Sequence, residues 1–383
     1  MIIGIDISSV CYQTGVSNYT LNLVRHLLKV DSQNQYKLFY SSLRQPLPNE
    51  IKELTRHKNV SIYHFRLPPT LLQILWNQLR LFPIEIFIGH CDIFHTSDWT
   101  QPPTFRAKTI ATIHDLTPFL YPKWHHPKVI KAHKNKMKMA SAKCFHFVCV
   151  SQNTKNDLLK LFPRINPSKI SVIYEAAENK YGQFIKLKPE IQNKKKDIIK
   201  KQYGLQNFIL AQGTREPRKN LDRLIQAFIK FKNKYPKSTA ELAISGKYGW
   251  GKDITHPPSF VKILGFIPEK DMVALHASAA CLAYPSLYEG FGLPLVKSLK
   301  VGTPIITSNI SSMPEIVKDS AILVDPTSID QIAKALEKIL HSQKLRHELS
   351  LKGIIQSNKF SWTKTATQTL KVYNLVINPS KNI

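Results

Sequence analysis

The sequence predicts an α/β protein built from two doubly wound parallel sheets, each covered by helices on both faces. Three observations carry this prediction. Short runs of β-branched and other apolar residues alternate with longer amphipathic segments along almost the whole chain. The runs are continuously apolar, which is typical of strands buried on both faces of a parallel sheet. A polar, lysine-dense segment at 186–201 divides the runs into two sets, and two sets predict two domains.

The first set of runs begins at residue 2. Its predicted strands are 2–6, 36–42, 59–65, 93–98, 108–115, 146–151 and 170–176. Between the first two strands, the segment 19–30 has apolar residues at helical spacing, which predicts a helix packed on the sheet. Because ligands of open parallel sheets bind beyond the carboxyl ends of the strands, the loops that follow these runs are the first candidates for function.

The second set shows the same alternation. Its predicted strands are 208–213, 241–246, 262–266, 281–286, 303–309 and 321–326. Helical patterns at 221–235 and 328–340 lie among these strands, and a further helical pattern at 360–380 follows the last one.

The lysine-dense segment 186–201 contains Pro189 and is predicted to be a linker or a short surface helix. Its position gives the expected limits of the domains. We predict an N-terminal domain at 1–183, a C-terminal domain at 184–359, and a C-terminal helix and tail at 360–383.

The charge of the chain is its unusual global property. Lys and Arg number 54 against 26 Asp and Glu, a net charge of +28. Such a charge favours a polyanionic partner, whereas an accumulation of solvated surface lysines explains it equally well. Nucleic-acid binding is not favoured, because no recognised module and no interleaving of basic and aromatic residues is present.

The cysteines and the hydropathy pattern give the expected compartment. The five cysteines are scattered without metal-ligand spacing. No apolar run approaches the roughly 20 residues that a membrane-spanning helix needs. The N-terminal residues do not form the apolar core of a signal peptide. We therefore expect a cytoplasmic chain without a structural zinc site.

The loop after the strand 208–213 carries two adjacent cations. Arg218 and Lys219 precede Asn220, a residue that favours helix N-caps, and a predicted helix follows. Free backbone N–H groups at a helix N-terminus attract anions, so a diphosphate is the natural occupant. Ordinary surface charges on a loop are the alternative, and the sequence leaves both open.

The loop after the strand 281–286 contains Glu289 between apolar residues and glycines. Two glycines let the backbone approach a ligand closely, and Pro294 suits the first turn of the next helix. That helix is predicted to run from Leu295 to Lys300 and to stop before Gly302. Glu289 is predicted either to cap this helix or to bind hydroxyl groups, such as those of a sugar.

Two weaker signals lie in the first domain. His114 follows a predicted strand and stands next to Asp115, so it is either a satisfied core histidine or a functional one. Gly15 precedes the helix after the first strand and offers a second helix N-terminus. Together with the loops of the second domain, these residues predict a site for a phosphate-bearing polyhydroxyl ligand.

At these residues the chain resembles the family-4 retaining glycosyltransferases, which are nucleotide-sugar enzymes of the GT-B fold, and it is most similar to their mannosyl- or rhamnosyltransferase-like branch. The collinear motifs that carry the resemblance cover nearly the whole chain: GID…TGVSNYTLNLV at 4–24, DIFHTSDWTQPP at 92–103, TIHDLTPFLYP at 112–122, VSQNTKNDL at 150–158, GTREPRKNLDRLIQAF at 213–228, SGKYGW at 245–250, LGFIPEKDMVAL at 264–275, YPSLYEGFGLP at 284–294 and GTPIITSNISSMPEI at 302–316. The GT-B fold implies two Rossmann-like domains that face a central cleft and a C-terminal helix that crosses back to the N-terminal domain.

The resemblance implies a role for each candidate residue. Arg218 and Lys219 lie where the family binds the donor diphosphate, and Gly15 lies in the glycine loop beside the donor phosphates and the acceptor. Glu289 matches the first glutamate of the family's E-x7-E element, which contacts the transferred sugar. His114 matches a histidine near the reacting sugar, so the implied catalytic residues are His114 and Glu289.

The donor loop matches the family at four positions and departs from it at a fifth. The backbone of Gly290, Phe291, Gly292 and Leu293 lies where the family's loop meets the donor sugar and phosphate. The second glutamate of E-x7-E, which binds the ribose in the family, is replaced by Lys297. Lysine has no hydrogen-bond acceptor, so it reaches a phosphate instead or lies in solvent. A catalytically silent binding or scaffold subunit is therefore the alternative to an active enzyme.

The resemblance also implies the reaction. A hexose-type sugar moves from a nucleotide-diphosphate donor to a cell-envelope or polysaccharide glycan, free or lipid-linked, with retention at the anomeric carbon. In such same-face attack the leaving diphosphate takes the proton of the acceptor. Cationic side chains and a helix dipole stabilise the diphosphate, so no metal and no cofactor is expected.

A basic stretch at 123–143 predicts a further partner. The interspersed Val129, Ile130, Met137 and Met139, with Trp124, offer apolar contacts among many lysines, a pattern that favours an anionic membrane surface. On this basis we expect peripheral association with the inner face of the plasma membrane. A solvated lysine-rich helix explains the same pattern, and both interpretations stay open.

Overall fold

The computed structural model describes residues 1–12, 14–251 and 253–379. The chain divides into two compact units, Met1–Glu175 with Ser361–Ile383, and Ala176–Phe360. Each unit contains one parallel sheet and its helices. The predicted α/β class with two parallel sheets is confirmed.

The sheet of the first unit has seven strands: β1 (Ile2–Asp6), β2 (Gln35–Ser41), β3 (Val60–Phe65), β4 (Ile93–Thr96), β5 (Lys108–Ile113), β6 (His146–Cys149) and β7 (Ile170–Val172). Their order across the sheet is β3-β2-β1-β4-β5-β6-β7, with every neighbouring pair parallel. Ile5 of β1 pairs with Leu38 on one side and His95 on the other. The carboxyl ends of the central strands therefore lie at one edge of the sheet.

The first unit begins with these helices: α1 (Gly15–Val30), α2 (Asn49–Lys52), α3 (Pro69–Leu72), α4 (Glu85–Ile88), α5 (Thr117–Leu120), α6 (Pro127–Lys143) and α7 (Gln152–Leu161). Shorter 3-10 turns lie at Ser8–Tyr12, Glu53–Arg56, Pro122–Trp124 and Pro167–Lys169, and a π-helical segment at Gln73–Leu79. Helix α1 starts earlier than its apolar pattern predicted, because Thr14 and Ser17 form a capping box at its N-terminus.

The sheet of the second unit has six strands: β8 (Phe208–Gln212), β9 (Glu241–Ser245), β10 (Val261–Gly265), β11 (Cys281–Tyr284), β12 (Ile305–Ser308) and β13 (Ile322–Val324). Their order is β10-β9-β8-β11-β12-β13. The buried residues of these strands pack against apolar faces of neighbouring helices, with Phe228 and Leu336 among the fully buried side chains.

The helices of the second unit are α8 (Asn179–Phe184), α9 (Pro189–Gln202), α10 (Leu221–Lys234), α11 (Glu269–Ser278), α12 (Leu293–Val301), α13 (Met313–Val317), α14 (Ile329–His341) and α15 (Gln343–Ser357). A 3-10 turn lies at Pro217–Lys219. The lysine-dense segment 186–201 is thus largely a helix, the second of the two forms that its composition predicted.

The last helix, α16 (Trp362–Ile377), belongs to the first unit. It packs on α1, where the rings of Trp362 and Tyr19 are 5.9 Å apart between centroids. The hydroxyl of Thr365 donates to the backbone oxygen of Tyr174 at 2.7 Å. The chain therefore returns to its first unit after completing the second.

Candidate functional site

Three charged side chains of the second unit meet where β8 and β11 end. Arg218 and Lys219 lie in the 3-10 turn between β8 and α10, and Glu289 lies in the loop between β11 and α12. The ammonium of Lys219 donates to Oε1 of Glu289 at 2.7 Å, and the guanidinium of Arg218 donates to Oε2 at 2.6 Å. The structure thus brings together three residues that the sequence singled out in two separate loops.

This cluster is buried and its charges are balanced. Lys219 is 7% exposed and Glu289 is 5% exposed. Burial by itself raises the pKa of Glu289, but the charges of Arg218 and Lys219 outweigh it and hold that pKa at about 2. Glu216 binds Nε of Arg218 at 2.5 Å, so two carboxylates face two cations. Neighbouring carboxylates therefore already pair with both cations, so the two are not ordinary surface charges.

The ammonium of Lys219 is held in a fixed position. It donates to the hydroxyl of Tyr284, at the end of β11, at 2.5 Å as well as to Glu289. An ammonium has three N–H donors, and among the residues that the structure describes the third has no acceptor. Gly213, with a φ of 137°, makes room for this side chain, since a Cβ there would lie 2.8 Å from Cε of Lys219.

The loop after Glu289 is fastened by two serines of the next connection. Ser312 donates to the backbone oxygens of Glu289 at 2.9 Å and of Phe291 at 3.0 Å. Ser311 accepts from the backbone N–H of Glu289 at 3.1 Å. The loop that contains Gly290 is therefore ordered by contacts within the second unit, and Phe291 is buried.

Helix α12 starts directly from this loop. Gly292 is the N-cap residue with a φ of 97°, and no side chain caps the helix. The helix begins at Leu293, earlier than the predicted Leu295, because Pro294 fits its first turn. It ends before Gly302, whose φ of 73° suits the predicted C-terminal stop. Glu289 does not cap it, since its oxygens bind the two cations instead.

Asn220 precedes α10 as predicted but does not cap that helix with its side chain. Its backbone is left-handed with a φ of 57°. Its amide donates to the backbone oxygens of Pro285 at 3.0 Å and Pro326 at 2.7 Å, and its oxygen accepts from Arg223. Asn220 thus ties the Arg218–Lys219 turn to the ends of two other strands.

Lys297 lies away from solvent, in a buried cluster of its own. It is 4% exposed, and its ammonium is 3.0 Å from Glu269 and 3.3 Å from Glu178. It also lies over the ring of Tyr181, 5.3 Å from the centroid. Burial lowers the pKa of Lys297, but Tyr181 and the two carboxylates outweigh it and raise that pKa overall. Of the two alternatives for Lys297, the position in solvent is wrong, because two acids of the same unit hold it inside.

In the first unit, His114 has a carboxylate partner that the sequence did not indicate. Its Nδ1 is 3.2 Å from Oε1 of Glu175, beyond the end of β7. The adjacent Asp115 instead accepts the N–H and the hydroxyl of Thr117 at the start of α5. Nε2 of His114 is buried and has no hydrogen-bond partner among the described residues. Glu175 therefore orients the imidazole and leaves one ring nitrogen for a ligand.

Gly15 is the first residue of α1 rather than part of the loop before it. Among the described residues, no atom lies within 4 Å of the position that a Cβ would take there. The space beside this helix N-terminus is thus open. Its predicted contact with donor phosphates stays a prediction.

Around the predicted functional residues Glu289 and His114, three partners were missed from the sequence: Glu175, Glu216 and Tyr284. All of them lie at or just beyond the carboxyl end of a predicted strand. That position, which identified the other candidates, was the signal that could have found them.

Within 1–12, 14–251 and 253–379, no group of three or more His, Cys, Asp or Glu side chains is arranged to hold a metal ion. No helix in those ranges has the length and apolar character required to cross a membrane.

Comparison with known proteins assigns both halves of the chain. The family model described as Glycosyltransferase Family 4 matches residues 13–178, and the model described as Glycosyl transferases group 1 matches residues 193–355. The O-antigen chain mannosyltransferase B of Escherichia coli is 26% identical over 385 residues, which cover 95% of this chain and 96% of that protein.

Solved structures of glycosyltransferases share the fold at low sequence identity. WaaG, a glycosyltransferase involved in lipopolysaccharide biosynthesis, superimposes with a TM-score of 0.71 over all of both chains at 13% identity. Alr3699/HepE of Anabaena, in complex with UDP and glucose, gives a TM-score of 0.70 at 15% identity and covers 98% of this chain and 99% of its own. The chain belongs to the family-4 glycosyltransferases and has their GT-B fold.

Proposed function

We propose that this glycosyltransferase moves a hexose, specifically mannose, from a nucleoside-diphosphate donor to a glycan of the cell envelope, with retention at the anomeric carbon. The E. coli relative is named for O-antigen mannosyl transfer, and the Anabaena structure is in complex with UDP and glucose. These names support the donor class and the acceptor class. The chemistry of the Arg218–Lys219–Glu289 cluster supports a diphosphate.

One observation carries the proposal: the buried ammonium of Lys219 has one N–H donor for which the described residues offer no acceptor. Glu289 and Tyr284 fix its position, so it needs no rearrangement to meet an incoming anion. A phosphate oxygen supplies the missing acceptor, and a charge-assisted hydrogen bond in a dry site is strong. Because the cations are already in place, no metal ion is required in this proposal.

The proposed reaction is a same-face substitution at the anomeric carbon. The acceptor hydroxyl oxygen forms the new glycosidic bond while the bond from that carbon to the diphosphate oxygen breaks. The departing diphosphate keeps the electron pair of the broken bond and takes the proton of the hydroxyl. Arg218 and Lys219 stabilise the negative charge that grows on the diphosphate. In this scheme Glu289 keeps both cations positioned and binds a sugar hydroxyl through its remaining lone pairs.

The test is a panel of GDP-, UDP-, dTDP- and ADP-hexoses, in which release of the nucleoside diphosphate is measured. We expect turnover with GDP-mannose, whereas turnover only with a donor of another hexose would support the hexose donor class and contradict mannose. NMR of the product should show the anomeric configuration of the donor. Turnover with inversion would contradict the same-face scheme, and no turnover with any donor would contradict the proposed activity.

A silent binding subunit is the second candidate, and Lys297 is the observation that favours it. Its ammonium is occupied by Glu178 and Glu269 and takes no part in the Arg218–Lys219–Glu289 cluster. The lysine thus has a structural role that leaves the cationic cluster intact. We therefore favour the active enzyme.

We further propose that the first unit docks on an anionic membrane, through a different surface from the one that the sequence indicated. In the predicted stretch 123–143, Met137 is buried in the core and Trp124 stacks on Tyr121 with centroids 4.1 Å apart. The lysines of α6 other than the buried Lys136 are exposed, as in a solvated helix. The stretch has few apolar side chains left for lipid.

A set of exposed apolar residues lies elsewhere in the same unit. This apolar face consists of Leu71, Ile74, Leu79, Leu81, Phe82, Ile86 and Phe105, each between 37% and 69% exposed. The N–H of Phe105 donates to Glu85 at 3.0 Å, and this bond connects the loop that contains Phe105 to the helix that contains Ile86. The exposed Arg66, Arg80 and Arg106 lie among these residues. Exposed apolar side chains with interspersed arginines fit an anionic lipid surface.

Flotation with vesicles of anionic and neutral lipids tests this surface. We expect salt-sensitive binding to the anionic vesicles, and the double variant Leu81→Ser with Phe82→Ser should bind about tenfold more weakly because it loses two apolar side chains. A matched variant, Lys131→Ala with Lys134→Ala, changes the exposed face of α6. If only that variant loses binding, the membrane contact lies in 123–143 and not on the apolar face. If the unaltered chain does not bind vesicles at all, the proposal is wrong.

A further inference from the structure

Two carboxylates of the first unit lie at the carboxyl ends of neighbouring parallel strands. Asp6 is the last residue of β1, and Asp98 follows the end of β4. The hydroxyl of Thr100 donates to Oδ2 of Asp6 at 3.3 Å, and the N–H of Ser8 donates to Oδ1 at 2.9 Å. These bonds hold the loop after β4 against the end of β1. The two carboxylates therefore share one edge of the sheet.

A buried ammonium faces this edge from α6. Lys136 is 5% exposed, and among the described residues it has neither a hydrogen-bond nor an ion-pair partner. Burial lowers its pKa, and the charge of Asp98, with a smaller effect from Asp6, opposes that shift. A desolvated charge without a partner costs free energy, so a group that supplies the missing acceptor is expected there.

Of the two carboxylates, Asp98 is the one that a ligand can contact from solvent. It is partly exposed, whereas Asp6 is buried. Burial and then the charge of Asp6 raise the pKa of Asp98 to about 7, while Lys136 and the N–H of Trp99 act in the opposite direction. Within the described part of the chain, neither carboxylate forms an ion pair with Lys136. The ammonium and the carboxylates are therefore not bonded to one another, and the ring of His133, one turn before Lys136 on α6, lies 6.3 Å from that of Trp99, next to Asp98.

The charges of Lys136 and of the two carboxylates restrict the ligand to a neutral group that both donates and accepts hydrogen bonds. An anion attracted by Lys136 would meet two carboxylates, and a cation attracted by the carboxylates would meet the ammonium. A hydroxyl accepts from Lys136 and donates to Asp98 at the same time. Several adjacent hydroxyls, as on a pyranose ring, satisfy such a set of groups better than one does.

Exposed aromatic rings flank the same edge. Trp99 is 44% exposed and Tyr12 is 43% exposed, with ring centroids 6.4 Å apart. The backbone oxygen of Trp99 accepts from Asn77 at 2.8 Å, and its ring lies 6.3 Å from that of His133, so its position is fixed. Large amphipathic rings beside hydroxyl-binding groups suit the apolar face of a sugar ring.

We infer that Asp6, Asp98 and Lys136 line a saccharide-binding site of the first unit, with Trp99 and Tyr12 against the sugar ring. The identity of the ligand rests on the proposed function: it is the terminal sugar of the acceptor glycan. Lys136 and Asp98 bind one hydroxyl between them. The nucleotide is held by a different unit, so the two binding events are separately measurable.

The test is a titration of the full chain, labelled with nitrogen-15 at its tryptophans, with disaccharides of mannose, rhamnose, glucose and galactose. The indole resonance of Trp99, assigned by Trp99→Phe, should shift with at least one of them. Asp98→Asn and Lys136→Met should each weaken that affinity about 10- to 100-fold, the effect of losing a hydrogen bond to a charged group. Lys134→Met, on the exposed face of the same helix, should bind as the unaltered chain does.

Folding and nucleotide binding are measured on the same samples. Lys136→Met removes a buried charge without a partner, so its melting temperature should not fall. No shift of Trp99 with any disaccharide, or unchanged affinity in both Asp98→Asn and Lys136→Met, would overturn the inference. Failure to bind any nucleoside diphosphate would instead refute the proposed function, and the saccharide titration reports independently of it.

Discussion

Replacing Lys219 by alanine should lower kcat/KM for sugar transfer by about 10³-fold, the loss that follows removal of one group stabilising charge in a transition state. The ammonium of Lys219 is buried, bound to Glu289 and Tyr284, and has a third N–H donor without an acceptor in the part of the chain that the structure describes. Its removal also leaves the carboxylate of Glu289 with one cation fewer. Initial rates with the preferred donor measure the effect.

Lys230→Ala is the matched control for this prediction. Lys230 lies on α10 of the same unit, its side chain is 60% exposed, and it pairs only with the exposed Asp330 in the contacts described for it. Such a surface pair contributes little, so the control should transfer sugar at the unaltered rate. A Lys219→Ala protein that melts normally and keeps full activity would show that the cluster does not act on the donor.

Replacing Lys297 by glutamate, which restores the residue expected from the family pattern, should destabilise the second unit rather than speed the reaction. The new carboxylate would lie beside Glu178 and Glu269 in place of the ammonium that now pairs with both. Breaking a buried ion pair in this way costs about 3–5 kcal/mol. Thermal unfolding should show a fall in Tm of roughly 10 °C for a unit of this size.

A second variant at position 297 separates the effect of charge from that of packing, and a variant on another helix serves as the control. Lys297→Met keeps most of the side-chain volume and should cost less than the glutamate variant, because it adds no negative charge. Lys338→Glu, on the exposed face of α14, should leave Tm nearly unchanged. A Lys297→Glu protein with unaltered Tm and faster donor turnover would show that the lysine impairs an otherwise complete ribose site.

The strands were predictable because their signal is local. Every apolar run identified in the sequence overlaps a strand, from Ile2–Asp6 to Ile322–Val324. Several predicted runs extend beyond the observed strand, since residues that follow a parallel strand often continue its β-branched composition. The N-terminal start of α1 was missed because Thr14 and Ser17 define it by mutual hydrogen bonds rather than by apolar spacing.

The candidate cluster was predictable as a set of loops but not as a set of contacts. Arg218, Lys219 and Glu289 were recognised from their positions after strands. Their pairing with one another depends on β8 and β11 being neighbours in the sheet, which follows from topology and not from spacing along the chain. The same limit applies to His114, whose partner Glu175 follows β7, two strands away across the sheet.

Buried charges were the least predictable features. Lys297 and Lys136 each lie in a helix among other lysines, and nothing in their local sequence separates them from solvated ones. Only the packed structure shows that Lys297 has two carboxylate partners and that Lys136 has none among the described residues. The net charge of +28 thus conceals a few lysines whose surroundings differ from those of the rest.

The central claim is that the Arg218–Lys219–Glu289 cluster binds the diphosphate of a nucleotide donor. Calorimetric titration of the full chain with GDP, UDP, dTDP and ADP tests it most directly. We predict that at least one nucleoside diphosphate binds, and that Lys219→Ala weakens its binding by about tenfold or more while Lys230→Ala does not. Binding of none of the four, or equal affinity in Lys219→Ala and the unaltered chain, would contradict the claim.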